Sequence, residues 1–293
     1  YFNLDPVKVM SVIENFKAEK TVAAHRAKAQ YYRWYQLYER PINSKRIDNQ
    51  MEMLADNIKI KSSAGVMEGK ENYPERLTAY KGWKNAHHVQ SVTYSEGEGN
   101  KGLIKADIRY QNIQPDGSAA SYTIDYTMEL LNSIDKLPIL HKVVIEPTGQ
   151  SDDVFKDAYP TNRVKSLMHY WLANMERLDG EVDLFKELLA EDFELNFSSA
   201  IIKTHAELAS WLNGTPTQLK LSSHYPENLS VDVIDDQTYD VSVIFDWYGI
   251  AKDGQKMTAK TSHRWLVIDD VNERFARIKK VTVKQIEQLS MVE

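Results

Sequence analysis

Residues 32–40 read YRWYQLYER and residues 169–177 read HYWLANMER, with Trp, Glu and Arg at matching places 137 positions apart. The same offset places Arg26, Lys28, Trp34, Glu39 and Arg40 on Arg163, Lys165, Trp171, Glu176 and Arg177. It also places His87 on His224, and Ile113, Asp116 and Gly117 on Ile250, Asp253 and Gly254. Between them LADNIKIKSSA, starting at Leu54, resembles LAEDFELNFSSA, starting at Leu189. One offset thus recovers helix, strand and turn signals in the same order, as a duplicated unit would. The 293 residues leave room for two domains.

Both copies can therefore be read at once. Apolar residues recur at helical spacing over residues 21–40 (Tyr31, Trp34, Tyr35, Tyr38) and 159–178 (Leu167, Met168, Trp171, Leu172, Met175). Pro41 and Gly180 help to end these helices. Short helices are expected over 43–55 and 181–190, alternating strands around Ile58 and Ile60 and around Phe193, Leu195 and Phe197, and third helices over 72–81 and 204–212. Long strands follow, with Asp116-Gly117 and Asp253-Gly254 as two-residue hairpin turns in which both central residues take positive φ. Helices first and an antiparallel sheet after make an α+β layer plan in each copy. Ahead of the first copy, Asp5 and Pro6 open a further helix with a Val9, Val12, Ile13, Phe16 stripe.

Composition narrows the chemistry. A net charge of −6, with no basic cluster, argues against a nucleic-acid partner. No apolar run approaches a membrane span of about 18 residues. The absence of Cys removes thiolate nucleophiles and thiolate metal sites. No His-x-x-x-His pair, Gly-rich phosphate loop or Gly-x-Ser-x-Gly elbow occurs. No metal or cofactor is expected. The compartment is expected to be cytoplasmic, with a removed leader left open because the chain begins at Tyr1.

The order helix, short helix, strand, helix, long sheet, together with HHVQSV at residues 87–92 and HYPENLSV at 224–231, resembles the SnoaL-like, nuclear-transport-factor-2-like superfamily. The second copy keeps Asn228 four residues after His224, where the first has Ser91. The resemblance implies two tandem cone-shaped domains of residues 21–148 and 158–293, joined by a linker at 149–157 and preceded by a helical extension at 1–20. It also implies pairing of the two sheets as a pseudo-dimer within one chain, or else a homo-oligomer. Such folds host isomerases, dehydratases and cyclases as well as domains that only bind.

Alternation selects the inward strand faces: Ala106, Ile108, Tyr110 and Tyr122, Ile124, Tyr126, Met128 in the first copy, and Val243, Phe245, Trp247 and Ala259, Thr261, His263, Trp265 in the second. The expected partner is a small, largely apolar molecule. It would be held by Tyr31, Trp34, Tyr35, Tyr38, His87, Tyr110 and Tyr126 in one cone and by Trp171, His224, Asn228, Trp247, His263 and Trp265 in the other. His263 and His224 are the candidate acid/base residues of an enzyme reading, which makes the second copy the expected functional one. The central-strand acids Asp107, Asp125, Glu129 and Asp246 have outward parity, which counts against catalysis unless a bulge reverses it. Glu39 and Glu176, each followed by Arg at a helix end, are expected to form structural ion pairs there. A third reading is a scaffold that makes protein contacts through its N-terminal helix.

Overall fold

The computed structural model describes residues 16–292, so the helix expected within the N-terminal extension lies outside the described residues. The chain divides into two compact units, one of residues 23–170 with 269–276, the other of residues up to 22, 171–268 and 277 onward.

In the first unit the order is α1 (Val22–Gln36), α2 (Ser44–Met51), β1 (Leu54–Ser62), β2 (Gly65–Glu68), α3 (Tyr73–Leu77), β3 (Lys84–Glu96), β4 (Lys101–Ile113), β5 (Ala119–Leu131) and β6 (Ile139–Gln150). These strands form one sheet in the order β2-β1-β6-β5-β4-β3. The long strands pair antiparallel, and one parallel pairing joins β1 to β6. The plan recurs as α4 (Tyr159–Glu176), α5 (Asp183–Lys186), β7 (Leu189–Asn196), β8 (Ile201–Ile202), α6 (His205–Leu212), β9 (Leu219–Asp235), β10 (Thr238–Ala251), β11 (Lys256–Ile268) and β12 (Arg277–Val292). Its sheet order is β8-β7-β12-β11-β10-β9, with the same single parallel pairing, β7 to β12. The fold is α+β, built twice in tandem.

Residues 159–170 of α4 pack within the first unit. There the Ser166 hydroxyl donates to the Ala29 carbonyl (2.8 Å), and the Nδ1 atoms of His25 and His169 lie 2.9 Å apart.

Helix α1 stops at Gln36, four residues before the expected end. The Arg46 guanidinium, anchored on α2, takes the carbonyl oxygens of Gln36, Arg40 and Pro41 and so satisfies acceptors that a longer helix would have used. Asn43 caps α2, its Oδ1 accepting from the Arg46 N–H at 2.9 Å.

The hairpin turns are where expected but of another type. Only Gly117 (φ 86°) and Gly254 (φ 91°) take positive φ; Asp116 and Asp253 do not. In each loop the glycine N–H donates back three residues, to Gln114 or Ala251, and the strands close one residue further out, from Gln114 N to Ser118 O and from Ala251 N to Gln255 O (2.8 Å each). This is a helical turn closed by one left-handed glycine, so each hairpin needs one permissive residue where two were expected.

The inward parities hold through β4 and β5, whose pairing runs without a register shift from Lys101↔Leu131 to Ile113↔Ala119. Ile104, Ile108 and Met128 are fully buried, while Asp107 lies opposite Asp125 on the outer face. The second unit repeats this, with Val243, Phe245 and Trp265 buried. Each fully buried side chain of this size contributes about 1.5–3 kcal/mol. Beneath α1 and α4 these faces do not close completely, and that opening makes the site.

Candidate functional site

Each cone contains a hollow between its first helix and the inner face of its sheet. The first is about 490 Å³ and is lined by Trp34 of α1, Tyr38 of the turn that follows it, Arg76 of α3, Asn85 and His87 of β3, Tyr110 and Asn112 of β4, Tyr122 and Tyr126 of β5, with Tyr80 and Trp83 beside them. The second is about 240 Å³, lined by Trp171 and Met175 of α4, Trp211 of α6, His224 of β9, Phe245 and Trp247 of β10, and Thr261 and His263 of β11.

At the floor of the first hollow the His87 ring is held between two phenols, stacked on Tyr35 at 4.3 Å and on Tyr110 at 5.0 Å between ring centres. Behind it lies Glu39, its side chain fully buried. One carboxylate oxygen accepts from the His87 backbone N–H (2.8 Å) and the other from the Asn162 amide (2.9 Å). The His87 Nδ1 lies 3.4 Å from the first oxygen, facing it without a well-aligned hydrogen bond. The second cone repeats the pair more tightly. Glu176, also fully buried, accepts from the His224 backbone N–H (2.9 Å), lies 2.9 Å from His224 Nδ1 and accepts from the Thr21 hydroxyl. A carboxylate against Nδ1 favours the tautomer with the proton on Nδ1 and leaves Nε2 as the unprotonated nitrogen.

The arginines that follow these glutamates each pair with an aspartate. Arg40 reaches Asp157 at 2.8 Å and Arg177 reaches Asp179 at 2.5 Å. Glu39 lies in the turn after α1 and Glu176 is the last residue of α4; both carboxylates are buried, while Arg40 and Arg177 are part-exposed. The acids on the central strands stay outside, because the pairing of β4 with β5 and of β10 with β11 carries no bulge.

Of the residues expected to hold a ligand, Trp34, Tyr38, His87, Tyr110 and Tyr126 line the first hollow, and Trp171, His224, Trp247 and His263 the second. Tyr31 and Tyr35 lie behind the wall, fully buried and joined by a 2.7 Å hydroxyl hydrogen bond; Trp265 is likewise core. Asn228 is exposed, at φ 54° where the pairing of β9 with β10 shifts register. The sequence pattern does not single out Arg76, Asn85, Asn112 or Trp211, and it points Glu39 and Glu176 to helix-end ion pairs. For the two glutamates a signal was present: in each copy the Glu precedes its His by 48 residues.

The environment sets protonation. Burial pushes the Tyr38, Tyr110 and Tyr126 hydroxyls well above the ordinary phenol range, so they serve as neutral hydrogen-bond donors. Tyr110 donates to Asn85 Oδ1 at 2.5 Å. His263 is pushed down to about 3, first by burial and second by His224, and is neutral at ordinary pH. Its Nδ1 faces the Trp265 indole N–H at 3.4 Å and its Nε2 pairs with the Thr261 hydroxyl at 3.0 Å, so both nitrogens are engaged. Between the two candidate histidines, this arrangement favours His224 for proton transfer. Among the described residues, no three His, Asp or Glu side chains come together as metal ligands, and no helix is long and apolar enough to cross a membrane.

No family model matches the chain, and no curated protein does. Solved structures do resemble it. A candidate aromatic ring hydroxylase of Novosphingobium aromaticivorans is 17% identical, with 45% of this chain and 92% of that one covered at a TM-score of 0.41. A hexachlorocyclohexane dehydrochlorinase, LinA-type3, of Novosphingobium barchaimii is 10% identical (45% and 88% covered, TM-score 0.39). A nuclear-transport-factor-2-like protein of Salmonella enterica serovar Typhimurium is 11% identical (43% and 89% covered, TM-score 0.38). Each match spans most of the other protein and under half of this one. By element order and sheet topology, the chain is two tandem copies of one α+β unit, helices first and a six-stranded sheet after.

Proposed function

We propose that the first cone binds a small, cyclic, largely apolar molecule and moves a proton on it, with His87 as acid/base and Glu39 as the carboxylate that orients it. The observation that carries this reading is the repeated Glu–His pair, with the acid buried and the imidazole on the wall of an aromatic hollow. A base oriented by a second group is the arrangement that general acid–base catalysis uses. His87 Nε2 makes no hydrogen bond among the described residues. The first hollow, at about 490 Å³, falls within the about 300–1,000 Å³ typical of small-molecule sites. In the reaction the imidazole would take a proton from carbon beside a carbonyl, the tyrosine hydroxyls would donate to the oxygen as it gains charge, and the same ring would return the proton at the same or a neighbouring carbon. This is isomerase-type chemistry.

The second cone would take a smaller, more apolar ligand. Its hollow is half the size, its walls are mostly apolar, and His263 is locked neutral.

The test uses 1-tetralone, a bicyclic ketone with slowly exchanging protons beside the carbonyl. Proton NMR in D₂O should show exchange accelerated by the protein and lost in His87→Phe, with 1-tetralone still binding by calorimetry. Exchange no faster than in buffer, or undiminished in His87→Phe, would refute the proton-transfer reading.

A further inference from the structure

The third helix of each cone contributes one residue to its hollow, and the two copies differ there in kind. Tyr73 and Leu77 are buried in α3 as Leu208 and Leu212 are in α6, which sets Arg76 against Trp211. Both line their hollows. Arg76 is half-buried, and its one hydrogen bond among the described residues runs from Nη2 to the Ser62 hydroxyl at 3.0 Å. No carboxylate of the described residues lies within 4.0 Å of it. In a chain of net charge −6, a guanidinium facing an aromatic cavity without an acid beside it is left to bind something else.

A second observation in the same hollow points the same way. The Oδ1 atom of Asn112 is buried with no donor among the described residues, and an unmatched buried acceptor costs about 1–3 kcal/mol unless a ligand or water supplies the donor. The lining of the second hollow holds no Lys, Arg, Asp or Glu.

We infer that the first cone selects a cyclic or aromatic carboxylate, whose anionic group is held by Arg76 at the rim while its rings lie among Trp34, Tyr38, Tyr110 and Tyr126 and a ligand hydroxyl can meet Asn112. This rests on the first hollow being a ligand site, as proposed above, and specifies the ligand class. Planar carboxylate and planar guanidinium match as a two-point hydrogen-bonded pair, which no other group in that lining offers. The copies would then have diverged, the second toward neutral ligands.

Calorimetric titration of the full chain near pH 7 with 2-naphthoate and with methyl 2-naphthoate, the same rings without the charge, tests this. The carboxylate should bind about tenfold or more tightly than the ester. Arg76→Gln should remove that advantage while changing ester affinity less than about twofold, and Arg76→Lys should restore part of it. Raised salt should weaken carboxylate binding alone. Equal affinities for the two probes, or a carboxylate preference that survives Arg76→Gln, would overturn the inference and leave the binding reading intact. If neither probe binds, both fall. Near-ultraviolet circular dichroism of Arg76→Gln and Arg76→Lys separates lost affinity from lost fold: if Gln unfolds the chain, the Lys variant and the salt dependence carry the test.

Discussion

Replacing Glu39 by Gln changes one oxygen to an amide without changing size, and the surroundings allow no comfortable placement. One carboxylate oxygen meets the His87 backbone N–H at 2.8 Å and the other the Asn162 amide N–H at 2.9 Å. Whichever way the new amide is turned, its NH₂ faces a donor at under 3 Å. The variant loses one hydrogen bond to a charged acceptor, which contributes about 1.5–3 kcal/mol, and leaves a buried N–H unmatched. The combined cost is about 3 kcal/mol, a large fraction of the stability of an ordinary domain. At about 2–4 °C per kcal/mol this lowers the first melting transition by roughly 6–12 °C. Differential scanning calorimetry should show this loss in Glu39→Gln and a smaller one in Glu176→Gln, because the Thr21 hydroxyl that donates to Glu176 can turn and accept from the new amide. A Glu39→Gln protein melting within a degree of the original would mean that the carboxylate is not held as described, and the proposed acid/base pair would lose its anchor.

Acid sensitivity should trace to His263. Its folded-state value, about 3, lies below the unfolded value of about 6.5, so between those limits the unfolded chain binds the extra proton and stability falls as pH falls. His263→Gln should flatten urea-derived stability over that window by up to about 1.4 kcal/mol per pH unit and change nothing above about pH 7; an unchanged slope would contradict the burial argument. His169, held well below its usual range by burial and then by the charges of His25, Lys28 and Lys165, adds a second component of the same sign. At the hairpin tip Gly117 has φ 86° and nothing within 4 Å of an added Cβ, so the cost of Gly117→Ala is backbone strain alone. Urea titration should give about 1–2 kcal/mol for Gly117→Ala and distinctly less for Gly117→Asn. Equal costs for the two would show that the turn does not require its left-handed residue.

The duplication, the helix starts and the inward strand faces were legible because they rest on periodicities of 3.6 and 2 that packing must obey, and the two copies vote on each position. The Glu–His pair was not, since a local rule already accounted for Glu-Arg at a helix end and the true partner lies far along the chain, at the start of a strand. Asn228 illustrates another limit: a register shift and a left-handed backbone turn it out to solvent, and nothing in ENLS announces a bulge. Tyr31, Trp34 and Tyr35 of α1 and Tyr38 just past its end follow one helical spacing in the sequence, yet only Trp34 and Tyr38 border the hollow. Which residues of an apolar stripe fill space and which leave it depends on the volumes opposite, and these are set by the whole sheet.

The donors to the two buried glutamates carry a consequence for the order of events during synthesis. Glu39 takes a hydrogen bond from Asn162, 123 residues later in the chain, and Glu176 takes one from Thr21, 155 residues earlier. A ribosome adding about 5–20 residues per second leaves Glu39 waiting roughly 6–25 s for its amide donor. The first cone can collapse in that interval, but its acid sits incompletely matched until the opening turns of α4 arrive. Maturation of the first site is thereby tied to translation of the second repeat, and a ribosome stalled between β6 and α4 would hold a nascent cone whose histidine is not yet fixed.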